Sequence, residues 1–340
     1  MDIRAAIAHA VAGKDVDFDD MLVVVRAIMS GEPTAAQIAG LLVALHMKGE
    51  TIDEVTAAAT VMRELATPVS ISAAPLIDTC GTGGDATNTF NISTATAFVV
   101  AAAGGYVAKH GNRSVSSSSG SADVLEQAGA RIDLEPAEVA RSIEETGVGF
   151  MFAPAHHGAT RHAAGPRREL AIRTLFNVLG PLTNPAGAPL QLVGVFNREW
   201  QTKLIEVLAR LGSERAFVVH ADDGLDEISI GSKTTVAELR DGAIHWFEID
   251  PAEYGFEQQP ISSVSVRDAG QSLAMIDCVF RGEPGPARDI VALNAGAAIY
   301  LCGLEDTLAD GIERARHLLA SGAAGTRFER FIDFTQRCGR

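Results

Sequence analysis

The first 66 residues carry apolar side chains at the three- and four-residue spacing of amphipathic helices. One such stripe is formed by Phe18, Leu22, Val25 and Met29. Thr34 with Gln37, and Thr51 with Glu54, have the capping-box spacing, which predicts that two further helices begin there, the last ending near Leu65. Because three short and largely apolar helices are unstable alone, we expect this segment to pack on another domain or on a second copy of itself.

Short apolar runs alternate with helical patterns after a proline-bearing connector. We predict strands at residues 76–79, 106–108, 149–152, 190–196 and 216–220, helices at about 93–103 and 122–128, an antiparallel pair within 235–249, and helices over the last 50 residues. This alternation predicts an α/β fold. It combines a small all-helical domain (1–66), a hinge (67–75) and a large doubly wound, mostly parallel sheet domain (76–340), from which some helices can return to the small domain.

Composition and charge narrow the class of protein. Hydrophobic residues make up 47% of the chain, enough for a sizeable core, and 28 basic residues stand against 43 acidic ones. The formal net charge of -15 argues against a nucleic-acid or anionic-membrane surface, which needs a basic field. Four scattered cysteines without a CxxC pair indicate reduced thiols. With no secretory signal, and no apolar run of the ~20 residues that span a bilayer, we expect a soluble cytoplasmic protein.

A first candidate site is the sequence GTGGD at residues 81–85, here called the glycine loop, which follows a predicted strand. Glycines allow close backbone approach, and free N–H groups there and at the helix start of residues 91–94 suit phosphate oxygens. The loop also satisfies a loose GxGxxA dinucleotide pattern, but the end of the next strand carries Lys109 where that fold needs an acid. No Lys-Ser or Lys-Thr follows the glycines, which excludes a Walker A loop.

A second candidate site is KHGNRSVSSSSGSAD at residues 109–123, here called the serine loop. It again follows a strand and precedes a helix, with charge from Lys109 and Arg113 and hydroxyls from four consecutive serines. A solvated linker would not account for Lys109, His110 and Arg113 at a strand end. Two adjacent strand–loop–helix units built for anions predict a ligand with more than one phosphate.

A third candidate site is the adjacent pair Asp226 and Glu227. Such pairs are usually surface charge. Mg²⁺, however, typically binds one or two carboxylates together with substrate phosphate, and the two phosphate loops have no other obvious metal ligand.

A fourth segment, residues 150–185, contains His156, His157 and His162, whose spacing matches no zinc motif. Three arginines are predicted on one helix, and at least one could hold a carboxylate through a bidentate contact: Arg167, Arg168 and Arg173. For the last two we favour ordinary surface positions. No Ser-His-Asp or Cys-His arrangement offers a nucleophile.

In this order, the motifs DTCGTGGD, FNIST, KHGNRSVSSSSGSADVLE, LGPLTNP and GLDEIS resemble the anthranilate phosphoribosyltransferases, the tryptophan-pathway transferases, over essentially the whole chain. The resemblance implies that the chain joins anthranilate to 5-phosphoribosyl 1-diphosphate (PRPP) with Mg²⁺, as a homodimer formed through the N-terminal helices. It assigns no general base. His110 is a candidate for late proton handling, although a structural role is favoured.

The resemblance also implies residue roles. The implied PRPP ligands are Gly81, Gly84, Asp85, Thr89, Asn91, Ile92, Ser93, Thr94, Lys109, His110, Gly111, Asn112, Arg113, Ser114, Val115, Ser116, Ser117 and Ser121. The implied ligands of two Mg²⁺ ions are Ser93 for one and Asp226 with Glu227 for the other. Anthranilate is implied to contact Gly81, Asn112 and Arg167. The chain departs from the family pattern, near the implied anthranilate entrance, at Gly158 and Pro166 and at Ala171, where the family usually has glycine.

Two other functions remain to be distinguished. A pyrimidine nucleoside phosphorylase would share this architecture, but its related loop is similar to KHGGR, where this chain has Asn112. A degenerate relative that binds nucleic acid would be expected to have lost the glycine and serine loops and to carry a basic surface.

Overall fold

The computed structural model describes residues 1–83, 87–114 and 119–338. These residues form a seven-stranded sheet of order β3-β2-β1-β4-β5-β6-β7. Its strands are β1 (Leu76–Gly81), β2 (Tyr106–Gly111), β3 (Val148–Phe152), β4 (Leu190–Gly194), β5 (Arg215–Ala221), β6 (Thr234–Arg240) and β7 (Ala243–Ile249). The first five are parallel, and β6 and β7 are antiparallel. The predicted fold class and antiparallel pair are confirmed.

Four helices precede the sheet, not the three that the pattern indicated: α1 (Ile3–Val11), α2 (Phe18–Ser30), α3 (Ala35–Lys48) and α4 (Ile52–Leu65). The capping boxes at Thr34 and Thr51 are present. The helix α1 was not predicted because its buried positions are mostly alanines, which give a weak hydrophobic stripe.

The other helices alternate with the strands or follow them. They are α5 (Ile92–Ala102), α6 (Ser121–Gln127), α7 (Pro136–Thr146), α8 (Ala153–His156), α9 (Arg161–Leu170), α10 (Arg198–Arg210), α11 (Ala269–Phe280), α12 (Pro286–Leu301), α13 (Leu308–Ala320) and α14 (Ala323–Arg337). Short 3₁₀ helices cover Gly158–Thr160, Leu175–Asn177, Gly180–Leu182, Pro251–Tyr254 and Ile261–Val264. No helix in the described ranges is long and apolar enough to cross a bilayer.

The sheet buries both faces. On one face α5, α12 and α14 form the larger core, in which the ring of Phe98 makes edge contacts with Phe328 at 4.9 Å and with Phe331 at 5.5 Å. On the other face the core continues through α10 into α1–α4 and α9. The N-terminal helices therefore share one apolar core with the sheet. This packing buries the apolar faces of helices that would be unstable in isolation.

The connector at residues 67–75 is held by the chain that follows β3. The Thr67 N–H donates to the His156 carbonyl at 2.8 Å, and the Val69 N–H donates to the Pro185 carbonyl at 3.0 Å. The imidazole Nδ1 of His156 lies 3.0 Å from the Thr67 carbonyl. The division of the chain into domains at this connector stays a prediction.

Candidate active site

The two predicted phosphate loops leave neighbouring strands whose regular pairing ends early. The strands β1 and β2 pair only at Leu76 with Tyr106 and at Ile77 with Val107. By contrast, β1 remains paired with β4 as far as Gly81, and β2 remains paired with β3 as far as Gly111. Hydrogen bonds made by side chains link β1 and β2 beyond that point, at the carboxyl ends where open α/β sheets bind ligands.

Lys109 makes one of these contacts, on the α5 face of the sheet. Its Nζ donates to the Thr79 carbonyl at 2.5 Å and to Ser93 Oγ at 3.1 Å, and the residue is 2% exposed. Burial lowers the pKa of Lys109, whereas the nearby Asp78, Cys80 and Glu227 favour its charged form. The structure thus places this lysine beneath both strand ends and beside the first turn of α5.

Asp78 makes the matching contacts on the opposite face. Its Oδ1 accepts the His110 backbone N–H at 3.3 Å, and its Oδ2 accepts Asn184 Nδ2 at 2.8 Å. Burial raises the pKa of Asp78, and the charge of Lys109 and the hydrogen bonds oppose that rise. Neither Asp78 nor Asn184 was identified from the sequence, because they are joined across 106 residues of chain.

Asp226 lies directly against the described part of the glycine loop. Its Oδ2 accepts the Gly83 N–H at 2.7 Å. A Cβ on Gly194 would lie 1.5 Å from the Asp226 carbonyl oxygen, and one on Gly81 would lie 2.3 Å from Asp226 Oδ2. Glycine is therefore required at the ends of both β1 and β4, because Asp226 passes over them.

Three residues could supply oxygen ligands to a cation here: Asp226 beside the glycine loop, Ser93 beside Lys109, and Glu227. Glu227 lies close enough to Lys109 and Cys80 to affect the pKa values of both. Carboxylate and hydroxyl oxygens are hard ligands of the kind that Mg²⁺ prefers. The donor chemistry fits this ion, since part of its coordination shell normally comes from substrate phosphate.

The described ends of the serine loop are tied together by Asp123. Its Oδ2 accepts the N–H groups of Ser114 and Gly120, each at 2.9 Å. Arg113 points to α6, where its guanidinium makes two hydrogen bonds with Glu126. The predicted ligands Gly84, Asp85, Val115, Ser116 and Ser117 lie outside the described residues.

Asn91, which precedes α5, joins the serine loop to α11. Its Oδ1 accepts Ser119 Oγ at 2.9 Å and Ser272 Oγ at 2.7 Å. Three other predicted PRPP ligands near Asn91 make contacts of other kinds. Thr89 forms a bridge with Ser265. The side chain of Ile92 is buried, with its N–H on the Phe90 carbonyl, and the buried Thr94 hydroxyl has no hydrogen-bond partner within the described ranges.

The described start of the serine loop and its following helix are hydrogen-bonded to each other. The Asn112 carbonyl accepts the Ala122 N–H at 3.2 Å and lies 3.5 Å from Ser121 Oγ. The Asn112 side chain accepts the Arg113 N–H at 2.7 Å and is exposed, so it remains accessible to a ligand.

His110 and His157 form a buried pair with ring centroids 5.0 Å apart. His110 Nδ1 lies 3.0 Å from the Gly180 carbonyl. Burial, followed by the neighbouring His157, lowers the pKa of His110 to about 3, and burial lowers that of His157 to about 4. Both rings are therefore neutral at neutral pH. No described residue accepts from or donates to the Nε2 atom of either ring.

The third histidine of this segment lies elsewhere. His162 packs against Gly31, where an added Cβ would lie 2.6 Å from its Nδ1. Because His156 bonds to Thr67, the three histidines that invited a zinc interpretation do not converge. The part of the chain that the structure describes contains no group of three or more His, Cys, Asp or Glu that could hold a metal ion.

Arg167 lies on α9, which packs against α2 and α3. Its half-buried guanidinium lies 5.1 Å from the ring centroid of Phe176, and burial lowers its pKa. Across residues 1–83, 87–114 and 119–338, no carboxylate or other acceptor binds this guanidinium. A desolvated cation without an acidic partner is a favourable site for an anionic ligand.

The prediction that all three arginines lie on one helix is wrong for Arg173. The helix α9 ends at Leu170, and Arg173 follows it, with its guanidinium 4.1 Å from the ring centroid of Phe196. The reason is Ala171, which caps α9 in the left-handed conformation with φ of 50°. Arg168 is exposed on α9, where it was expected.

The comparisons agree with this geometry. Residues 4–66 match the family model described as glycosyl transferase family, helical bundle domain, and residues 73–325 match its a/b domain. The chain is 60% identical over 338 residues to the anthranilate phosphoribosyltransferase of Thioalkalivibrio sulfidiphilus, covering 99% of this chain and 100% of that protein.

Two solved structures extend the likeness to the fold. The crystal structure of anthranilate phosphoribosyltransferase from Thermus thermophilus matches with a TM-score of 0.92 and 42% identity, covering 97% of this chain and 99% of that one. The enzyme from Saccharomyces cerevisiae in complex with PRPP and Mg matches with a TM-score of 0.90 and 24% identity over 98% of each chain, which supports the fold alone. The chain therefore belongs to the anthranilate phosphoribosyltransferase family.

Proposed function

We propose that this chain transfers the 5-phosphoribosyl group of PRPP to the amino nitrogen of anthranilate and releases pyrophosphate. The observation that carries the proposal is the meeting of the carboxyl ends of β1 and β2, with Asp226 beside the first and Lys109 beneath both. A sugar with phosphate at both ends is the ligand that this arrangement suits.

We assign PRPP to residues of the two segments that follow β1 and β2 in the sequence, with the residues at the ends of those strands. They are Gly81, Gly84, Asp85, Thr89, Asn91, Ile92, Ser93 and Thr94 on the first unit, and residues 109–117 with Ser121 on the second. Lys109 supports this assignment through long-range attraction, since its Nζ is already bonded to Thr79 and Ser93. Ile92 can contribute only through its backbone, because its side chain is in the core.

We assign Mg²⁺ to Ser93 and to the pair Asp226 and Glu227, with two ions in all. When bound, the ion supplies positive charge to the diphosphate as it leaves. Asp226 also has a role of its own: by accepting the Gly83 N–H it holds the glycine loop against the end of β4.

We assign the anthranilate carboxylate to Arg167, and the rest of the ring to the neighbourhood of Gly81 and Asn112. The guanidinium of Arg167 is desolvated, lies over Phe176 and has no acidic partner in the described ranges, so a carboxylate would supply its missing countercharge. Arg168 and Arg173 remain assigned to the surface.

The chemistry requires alignment more than proton transfer. The amino group of anthranilate is a neutral nucleophile, and the bond that breaks joins ribose C1 to a diphosphate oxygen. Holding the two reacting atoms in line therefore supplies much of the rate. His110 is neutral and bonded to Gly180, which favours a structural role for it over proton transfer.

A homodimer formed through the N-terminal helices is part of the proposal. Val11 on α1 is 74% exposed and Met47 on α3 is 82% exposed, and these two helices pack on each other. Contact with a second copy through these two helices would remove both side chains from water. Light scattering after size exclusion would give twice the chain mass. A cytoplasmic location, and the hinge at residues 67–75, stay predictions.

The test is an assay with purified protein, anthranilate, PRPP and Mg²⁺. The proposal predicts loss of anthranilate fluorescence together with equimolar release of pyrophosphate. Parallel reactions with thymidine and phosphate distinguish the nucleoside phosphorylase. Unchanged fluorescence at saturating substrates would refute the proposed function.

A further inference from the structure

The ends of β1 and β2 are joined by side chains where the backbone ladder stops. Beyond Ile77 and Val107 the hydrogen bonds that link these strands are the His110 N–H on Asp78, the Lys109 Nζ on the Thr79 carbonyl, and the bridge made by Asn184. Of these, only Asn184 comes from outside the two strands.

Asn184 reaches both strands with one amide group. Its Nδ2 donates to Asp78 Oδ2 on β1 at 2.8 Å and to the Ala108 carbonyl on β2 at 2.8 Å. Its Oδ1 accepts the Ala186 N–H at 2.9 Å, so every polar atom of the side chain is bonded, and the residue is 5% exposed. A buried amide with all its bonds made has one orientation and resists displacement.

The segment that carries Asn184 is itself anchored to the rest of the molecule. Arg63 on α4 donates through Nε to the Leu182 carbonyl at 2.6 Å, and Gln191 on β4 donates to the Pro181 carbonyl at 2.7 Å. The neighbouring Gly180 carbonyl faces His110. The amide of Asn184 is therefore presented from a fixed base and does not move with either strand end.

We propose that Asn184 is a positioning residue that sets the spacing between the carboxyl ends of β1 and β2, by joining Asp78 to Ala108. The inference rests on the proposed function, since this spacing matters only when one ligand contacts both strand ends. Asn184 acts through the strands and does not touch the reacting atoms. Its removal leaves each strand end intact and changes the distance between them.

The test compares a ligand that spans both strand ends with one that cannot. Isothermal titration calorimetry measures binding of PRPP with Mg²⁺, and separately of ribose 5-phosphate, which lacks the diphosphate. We expect Asn184→Ala to weaken the binding of PRPP at least about tenfold, which is the loss of roughly one hydrogen bond to a charged ligand group. The affinity of the variant for ribose 5-phosphate should stay within about twofold of that of the unmodified protein. The KM for PRPP should rise with the same ratio, while the KM for anthranilate changes less.

Gln201→Ala is the matched control. Gln201 is a buried amide on α10 whose Nε2 joins the Val218 carbonyl on β5 to the Thr235 carbonyl on β6, at 2.8 and 2.7 Å. Like Asn184, it donates from one amide nitrogen to two neighbouring strands, which here carry neither phosphate loop. This variant should lower the melting temperature but leave the ratio of the two affinities unchanged.

Each outcome decides the question. If Asn184→Ala weakens the binding of PRPP and of ribose 5-phosphate equally, or weakens neither, the inference is overturned. This holds even if the unmodified protein converts PRPP and anthranilate. Failure of the unmodified protein to bind PRPP would instead remove the proposed function and the inference together. If Asn184→Ala does not fold, Asn184→Ser, which keeps one donor, should show the same selective loss at smaller size, and its absence contradicts the role.

Discussion

Replacing Arg167 by alanine separates a ligand-binding arginine from a structural one. In the structure its guanidinium is half-buried, rests on Phe176 and meets no acceptor in the described ranges. A structural arginine looks different: Arg63, also half-buried, donates to the carbonyls of Leu182 and Leu211. We therefore expect Arg167→Ala to affect anthranilate binding and to leave stability almost unchanged.

The magnitude follows from the bonds that a carboxylate would make. A hydrogen bond to a charged group contributes about 1.5–3 kcal/mol, and each 1.4 kcal/mol is about tenfold in affinity. The KM for anthranilate should therefore rise roughly 10- to 100-fold, with a smaller change in the KM for PRPP. Since the cation loses hydration on folding without gaining a partner, its removal should not lower the free energy of unfolding.

Steady-state kinetics by anthranilate fluorescence and urea unfolding would measure both quantities. Arg168→Ala is the control, because Arg168 is exposed on the same helix and should change neither. Arg63→Ala should lower the free energy of unfolding by about 1.5–3 kcal/mol, as its two carbonyl partners lose a charged donor. An unchanged KM for anthranilate in Arg167→Ala would remove this residue from the site.

Three further predictions concern metal, backbone and pH. Asp226→Asn combined with Glu227→Gln should abolish Mg²⁺-dependent turnover while circular dichroism stays native, and turnover at the original rate would contradict the metal assignment. Ala171→Gly should stabilise the fold by about 0.5–1 kcal/mol in urea unfolding, because φ of 50° strains alanine. As the control, Ala164→Gly inside α9 should destabilise the fold by about 1 kcal/mol. A change of the same sign in both variants would refute the strain at Ala171. The pKa of His110 lies near 3 when folded and near 6.5 when unfolded, so the unfolded state binds the proton first. The contribution of His110 to the free energy of unfolding is then fully present above about pH 6.5 and falls by about 1.4 kcal/mol per pH unit below it. In urea unfolding at pH 4.5–7.5, His110→Asn should reduce this slope. An identical slope in the variant would refute the buried neutral state of His110.

Local signals predicted the elements well. The capping boxes at Thr34 and Thr51 and the alternation of apolar runs located helices and strands, because these patterns act over a few residues. The helix α1 was missed since alanine gives little contrast between its faces. Arg173 was misplaced because Ala171 ends α9 in the left-handed conformation. Alanine rarely adopts this conformation, so the residue type did not predict the end of the helix.

The site was predictable in its parts but not in its connections. Both loops, and the acidic pair with Asp226, could be identified from residue type and position after strands. The sequence did not indicate that Asp226 would hold Gly83, or that Lys109 would be buried beneath the strand ends. Such contacts depend on tertiary packing across long stretches of chain, as does the bridge from Asn184 to Asp78.

The central claim is that one doubly phosphorylated sugar is held by both strand ends. A crystal of the protein soaked with PRPP and Mg²⁺ tests it most directly. We expect continuous ligand density from the end of β1, beside Asp226, to the end of β2. Density confined to one strand end, or none at either with the ligand present at saturation, would contradict it.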